Sequence, residues 1–187
     1  MIDLTEGQEM ALATADGEPL HQIRMGLGWD KEPTAGFIGT GAPEVDLDAS
    51  AAEYGDGQWV DMAFYNNLKT RDGSVEHLGD NKTGHGEGDD EVITVDLDRV
   101  HPRIDTVMFL VSSYHGHTLE WIDRAYCRLV AGTEEIARFT LTHGVRQTGL
   151  VMVKLFRDGQ QWRLRAIGEG IDAKIPAESI EAMKRFL

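Results

Sequence analysis

The chain is poor in cysteine, in basic residues and in long apolar runs. It has one cysteine, Cys127, among 187 residues. An intramolecular disulfide and a four-cysteine zinc site are therefore excluded. A lone thiol suits a reducing cytosol, and a cytoplasmic location is expected. Cys127 lies in Ala125-Tyr126-Cys127-Arg128-Leu129-Val130, which reads as a strand carrying a buried structural thiol. Basic residues number 18 against 32 acidic ones, for a formal charge of −14. Phosphate binding needs basic surface, so nucleic acid is excluded as the main partner. Docking on anionic lipid is disfavoured for the same reason. No apolar run approaches the ~20 residues of a membrane span. The acidic N-terminus lacks the basic and then apolar order of a secretory signal. Nucleophile elbows, Walker loops and a Gly-x-Gly-x-x-Gly after a strand are also missing.

What is present is a β pattern. Hydrophobic residues make up 41% of the chain, enough for a real core. The length fits one domain over residues 1–187. Glu9 to Thr14 and Leu20 to Leu27 read as strands around the Asp16-Gly17 turn. Further strands are expected at Val45 to Tyr54, Val60 to Tyr65, Val75 to Leu78, Glu91 to Leu97 and Ile104 to Ser112. Thr118 to Arg124 reads as one helical turn. Ala125 to Val130 with Glu135 to Leu141, and Gly149 to Phe156 with Gln161 to Gly168, read as hairpins. Pro176 to Leu187 is the one convincing helix, with Pro176 in its first turn. The expected fold is all-β: a sandwich of two mainly antiparallel sheets, about ten strands, with a short C-terminal helix. Trp29, Trp59, Trp121 and Trp162 are expected in the core.

The chemistry is concentrated in carboxylates. The loop Gly79 to Glu91 holds Asp80, Glu87, Asp89, Asp90 and Glu91, separated by Gly84, Gly86 and Gly88. Carboxylates crowded in one loop repel each other, and a cation relieves that repulsion. Hard oxygen donors without cysteine point to Ca²⁺ or Mg²⁺. The loop is not an EF-hand, because Lys82, Gly84 and His85 stand where that motif needs ligands and its glycine. Asp46 and Asp48 share one strand face, and Asp30 follows Gly28-Trp29. These acids are expected to converge with the glycine-rich loop at one end of the sandwich. A merely solvated acidic loop is the other reading of the same residues.

Taken in order, these pieces resemble the TerD family of tellurite-resistance and stress proteins. The resemblance rests on Gly26-Leu27-Gly28-Trp29-Asp30, Asp46-Leu47-Asp48-Ala49-Ser50-Ala51, Phe64-Tyr65-Asn66-Asn67-Leu68, Gly73-Ser74-Val75-Glu76-His77, the Gly79 to Glu91 loop, Glu135 to Arg138 and Arg165 to Gly170. It implies a two-sheet sandwich binding a pair of Ca²⁺ ions. It implies a bacterial stress system, with other stress-system proteins as partners, at the inner membrane face among other places. Carried over residue by residue, the metal set is Asp30, Asp46, Asp48, Asp80, Asn81, Asp89, Asp90 and Glu91, with carbonyls of Thr83 or Gly84 completing a shell.

The function expected is a calcium-ordered structural or interaction module without catalysis. A metal-dependent hydrolase is one alternative, with His85 or Glu87 as the only local base. A small-ligand binder, such as a nucleotide bridged through Ca²⁺, is another. His115 and His117 are spaced to share one face of a strand and are weaker candidates for a transition metal.

Overall fold

The computed structural model describes residues 1–31, 47–79, 89–113, 116–120, 122–141, 144–173 and 175–187, with backbone only for 30–31 and 122–124. These residues form strands β1 (Ile2–Leu4), β2 (Glu9–Ala11), β3 (Gln22–Lys31), β4 (Leu47–Gly55), β5 (Gln58–Ala63) and β6 (Val75–His77). Then come β7 (Glu91–Asp96), β8 (Thr106–Ser113), β9 (Ile122–Ala131), β10 (Glu134–Leu141), β11 (Gly149–Asp158) and β12 (Gln161–Ile171). Helix α1 (Pro176–Met183) and a 3₁₀ turn at Lys184–Phe186 end the chain. The first sheet runs β1-β10-β9-β3-β7-β6 and the second β2-β12-β11-β8-β4-β5. The pairing of β1 with β10 is parallel; the other described pairings are antiparallel.

The main core lies between the sheets. Met25, Leu27, Ile93 and Leu129 of the first sheet meet Ala49, Ala51, Phe109 and Leu155 of the second. A second cluster covers the far face of the second sheet: Tyr54, Met108, Leu110 and Ile167 pack with Met183 of α1. The Tyr54 hydroxyl donates to the Ile180 carbonyl at 2.9 Å, tying the helix to β4. β4 is therefore buried on both faces, and all nine of its residues are buried. Its small side chains, Ala49, Ala51 and Ala52, allow this close double packing.

Three expectations change. Strands number twelve among the described residues, because β1 is an edge strand too short to show alternation. The helical turn expected at Thr118 to Arg124 is not formed. Leu119 bridges Val145 instead, and β9 already runs from Ile122, drawn into register with Lys31 and Asp30 of the long β3. Ladder pairing here outweighs a local turn preference. Trp29 and Trp162 are buried, but Trp59 is 40% exposed near the β4–β5 hairpin. That hairpin turns on Asp56 and Gly57, both at positive φ (51° and 71°), the geometry of a type I′ turn.

Strand direction gathers the acidic segments. β3, β6 and β8 end, and β4, β7 and β9 begin, at one end of the sandwich. The pairs Leu27↔Glu91, His77↔Ile93, Lys31↔Ile122 and Leu47↔Ser113 define that end.

Candidate metal centre

Three consecutive acids, Asp89, Asp90 and Glu91, stand where β7 begins. Each is bound to a different element. Glu91 is 1% exposed. Its Oε2 accepts the backbone N–H of Ala49 at 2.5 Å and faces His77 Nε2 at 3.2 Å. Ala49 lies short of the β4–β5 ladder, which starts at Ala51. Its N–H is thus taken by a carboxylate from the other sheet. The N–H of Gly79 donates to His77 Nδ1 at 3.1 Å, so the proton on the ring sits on Nε2 and is donated to Glu91.

Asp90 extends the β3–β7 ladder beyond its last paired residues. Its N–H donates to the Leu27 carbonyl at 2.9 Å, and its Oδ2 accepts the Trp29 N–H at 2.9 Å. A side-chain carboxylate here replaces the next strand carbonyl.

Asp89 turns to the outer face of the first sheet. Arg128 grips it with both prongs, Nε to Oδ1 at 2.5 Å and the terminal nitrogen to Oδ2 at 2.9 Å. The Tyr126 hydroxyl reaches Oδ1 at 3.4 Å. Burial, with the nearby Asp89 charge, pushes the Tyr126 phenol up to about 12. The hydrogen bonds that Arg128 donates to Asp89 raise its guanidinium above the ordinary arginine range. Glu135 braces the group from β10. It pairs with Arg138 at 2.8 Å and Arg128 at 3.3 Å, and these bonds, Arg138 first, hold its carboxyl below the ordinary range. Arg138 lies 4.6 Å over the Tyr126 ring. Two glycines of β3 make room: a Cβ on Gly26 would collide with the Asp89 carboxylate, and one on Gly28 with the Tyr126 ring.

Asp48 is 4% exposed and opposes Ser112 across the β4–β8 pair. Alternation places it with Ser50 on the helix side of the second sheet, next to the residue whose N–H reaches Glu91. Among the described residues the buried hydroxyls of Ser50 and Ser112 find no hydrogen-bond partner. Asp48 and these hydroxyls are oxygen donors of the kind a hard cation takes, but they face the helix side, across β4 from the Glu91 carboxylate. Asp30 contributes backbone to β3, in register with Arg124. Asp46, Asp80, Asn81, Thr83, Gly84, His85 and Glu87 lie outside the described residues. Among the described residues alone, no three His, Cys, Asp or Glu side chains gather tightly enough to hold an ion. His115 also lies outside them, and His117 stands outside any strand.

His77 stands inside one of the segments that carry the family resemblance, but Arg128 and Tyr126 were missed. The signal that could have found them is the alternation of Gly26 and Gly28 within a strand, which marks a close approach from above.

A separate acidic cluster lies towards the other end of β4. Ser74 Oγ is 2.9 Å from Glu53 Oε1 and 2.8 Å from Asp72 Oδ1. Asp72 also accepts N–H bonds from Ser74 at 2.9 Å and His101 at 3.0 Å. Burial pulls its carboxyl upward, but these bonds and those from the Ser74 and Thr70 hydroxyls outweigh it and leave the carboxyl below its ordinary range. Ser74 has one hydroxyl proton. It can be donated to only one of the two carboxylates at a time. Burial outweighs the Ser74 hydrogen bond and pushes Glu53 from 4.5 up to about 7. Glu53, Asp61, Arg71 and His101 line a cavity of about 330 Å³ there.

No helix among the described residues is long and apolar enough to cross a membrane. Residues 1–177 match the sequence profile of the TerD domain. The chain is 35% identical over 173 residues to the tellurium resistance protein TerZ of Serratia marcescens, covering 90% of this chain and 89% of that one. It is 35% identical over 184 residues to the stress response protein SCP2 of Bacillus subtilis (strain 168), covering 90% and 92%. The fold matches the crystal structure of a homologue of telluride resistance protein (TerD) from Streptomyces coelicolor A3(2), with a TM-score of 0.70 at 22% identity over 88% of this chain and 98% of that one. With its two-sheet sandwich and its ordered acidic segments, the chain belongs to the TerD family of tellurium-resistance and stress-response proteins.

Proposed function

We propose that this protein is a calcium-ordered structural and interaction module of a bacterial stress response, working in the cytoplasm without a catalytic step. The observation that carries the reading is the three-way junction at Asp89, Asp90 and Glu91. The acids that close the glycine-rich loop are wired to β9, β3 and β4, so an ion bound beside them would be felt in both sheets. Asp48, Asp90 and Glu91 are the described residues offered as ligands, together with Asp30, Asp46, Asp80, Asn81 and the carbonyls of Thr83 or Gly84. All are hard oxygen donors, which suits calcium. The net charge of −14 favours cation uptake as well.

In this reading calcium fixes the loops at one end of the sandwich. The ordered surface then docks other proteins of the stress system, at the inner face of the membrane among other places. A ligand that binds only the folded state stabilises it by about 2.7 kcal/mol at one hundred times Kd. Thermal melts of chelator-stripped protein test this. Calcium should raise the melting temperature well above the effect of equal magnesium. Equal curves in chelator, magnesium and calcium would overturn the reading.

A further inference from the structure

We propose that Asp89 anchors the glycine-rich loop instead of ligating the metal, and that Arg128 is the positioning residue that holds it. The inference rests on the calcium reading above and assigns roles within that site. Sequence likeness treats Asp89, Asp90 and Glu91 as equivalent ligands. Their surroundings are not equivalent.

Both oxygens of Asp89 are engaged by one guanidinium, at 2.5 and 2.9 Å. Its side chain is only 5% exposed. Two-pronged pairs of this kind are among the strongest charge-assisted hydrogen bonds. A divalent ion taking Asp89 as a ligand would have to compete with this pair for the same two oxygens. It would also have to sit beside the guanidinium, whose charge repels it.

The surroundings of the pair are built for it. Gly26 carries no side chain where Asp89 lies, and Gly28 none where Tyr126 lies. Glu135 and Arg138 hold Arg128 and Tyr126 in turn. Asp90, one peptide unit on, makes two hydrogen bonds to β3. Holding Asp89 on the outer face therefore sets the entry of Asp90 and Glu91 into the sheet. A residue that orients ligands without touching the ion typically costs about 10-fold to 100-fold in metal affinity when lost.

The test uses the full chain with terbium in place of calcium, reading affinity and the number of bound waters from luminescence lifetimes. The variants are Asp89→Ala, Arg128→Gln, their combination, and Arg128→Lys as a milder change that keeps the charge. The anchor predicts that each of the first two weakens binding by about 10-fold or more. The double variant should be no weaker than the poorer single one, and Arg128→Lys should fall between Arg128→Gln and the parent. The bound-water count should not change. Multiplicative losses, with an extra bound water in Asp89→Ala, would make Asp89 a ligand and overturn the proposal. If the parent protein binds no terbium or calcium, the calcium reading fails by itself. The anchor is then decided in chelator by hydrogen exchange at the Trp29 and Asp90 amides. Faster exchange in both single variants supports it, and unchanged exchange overturns it.

Discussion

Glu91 of the first sheet accepts the backbone N–H of Ala49 in the second at 2.5 Å, where neither residue is open to solvent. One carboxylate thus joins the two layers beside the candidate metal centre, and His77 donates to the same oxygen. The stability of the sandwich and the shape of the loop end are therefore linked through one side chain.

Glu91→Ala should be strongly destabilising even in chelator. It strands the Ala49 N–H and the His77 ring N–H, both buried, and should cost about 3 kcal/mol. Glu76→Ala is the comparison. Its pair with Lys69 is near half-exposed on both sides, so the loss should stay within about 0.5 kcal/mol. Urea unfolding of the two variants reads the difference. Equal midpoints would show that the inter-sheet bond is energetically idle.

Gly26→Ala should act at a distance from its own backbone. The added methyl would fall on Asp89 and force it off Arg128. A cost of about 1–3 kcal/mol is expected, with faster exchange of the Asp90 amide. A variant as stable as the parent would mean that the outer-face packing is loose.

Asp90→Asn should keep the fold, because an amide oxygen can still accept the Trp29 N–H. It removes charge from the metal side. The calcium-dependent gain in melting temperature should shrink while the melt in chelator barely moves. An unchanged gain would remove Asp90 from the site.

Glu53 gives a pH dependence of defined sign. Its carboxyl titrates near 7 in the folded chain against an ordinary 4.5. Between those values the folded state holds a proton that the unfolded state has released, so stability falls as pH rises. The contribution is complete below 4.5 and lost above about 7. The whole effect is about 3 kcal/mol at most. Glu53→Gln, which keeps the neutral shape, should flatten the dependence and be the more stable protein at pH 8. A variant that retains the parent's slope would assign it to other groups.

Much of the fold is legible in the residues because its signals are local. Alternation marks β7, the Asp158-Gly159 turn marks the β11–β12 hairpin, and Pro176 marks the helix start. β1 and the start of β9 are not legible in this way. Their conformation comes from partners far along the chain, Ala137 for Ile2 and Lys31 for Ile122. The candidate centre divides similarly. The acids are visible as a cluster, but their different duties follow from register: Asp89 meets Arg128 only because β9 lies beside β3. Glu53 carries a quieter signal, a lone acid within the apolar run Ala51-Ala52-Glu53-Tyr54.

The most direct test of the central claim is a calorimetric titration of chelator-stripped protein with calcium, with magnesium as competitor. Tight binding that magnesium does not displace is expected, with a stoichiometry matching a pair of ions per chain. No heat and no binding at millimolar calcium would contradict it, leaving the acidic loop as solvated surface on a TerD sandwich.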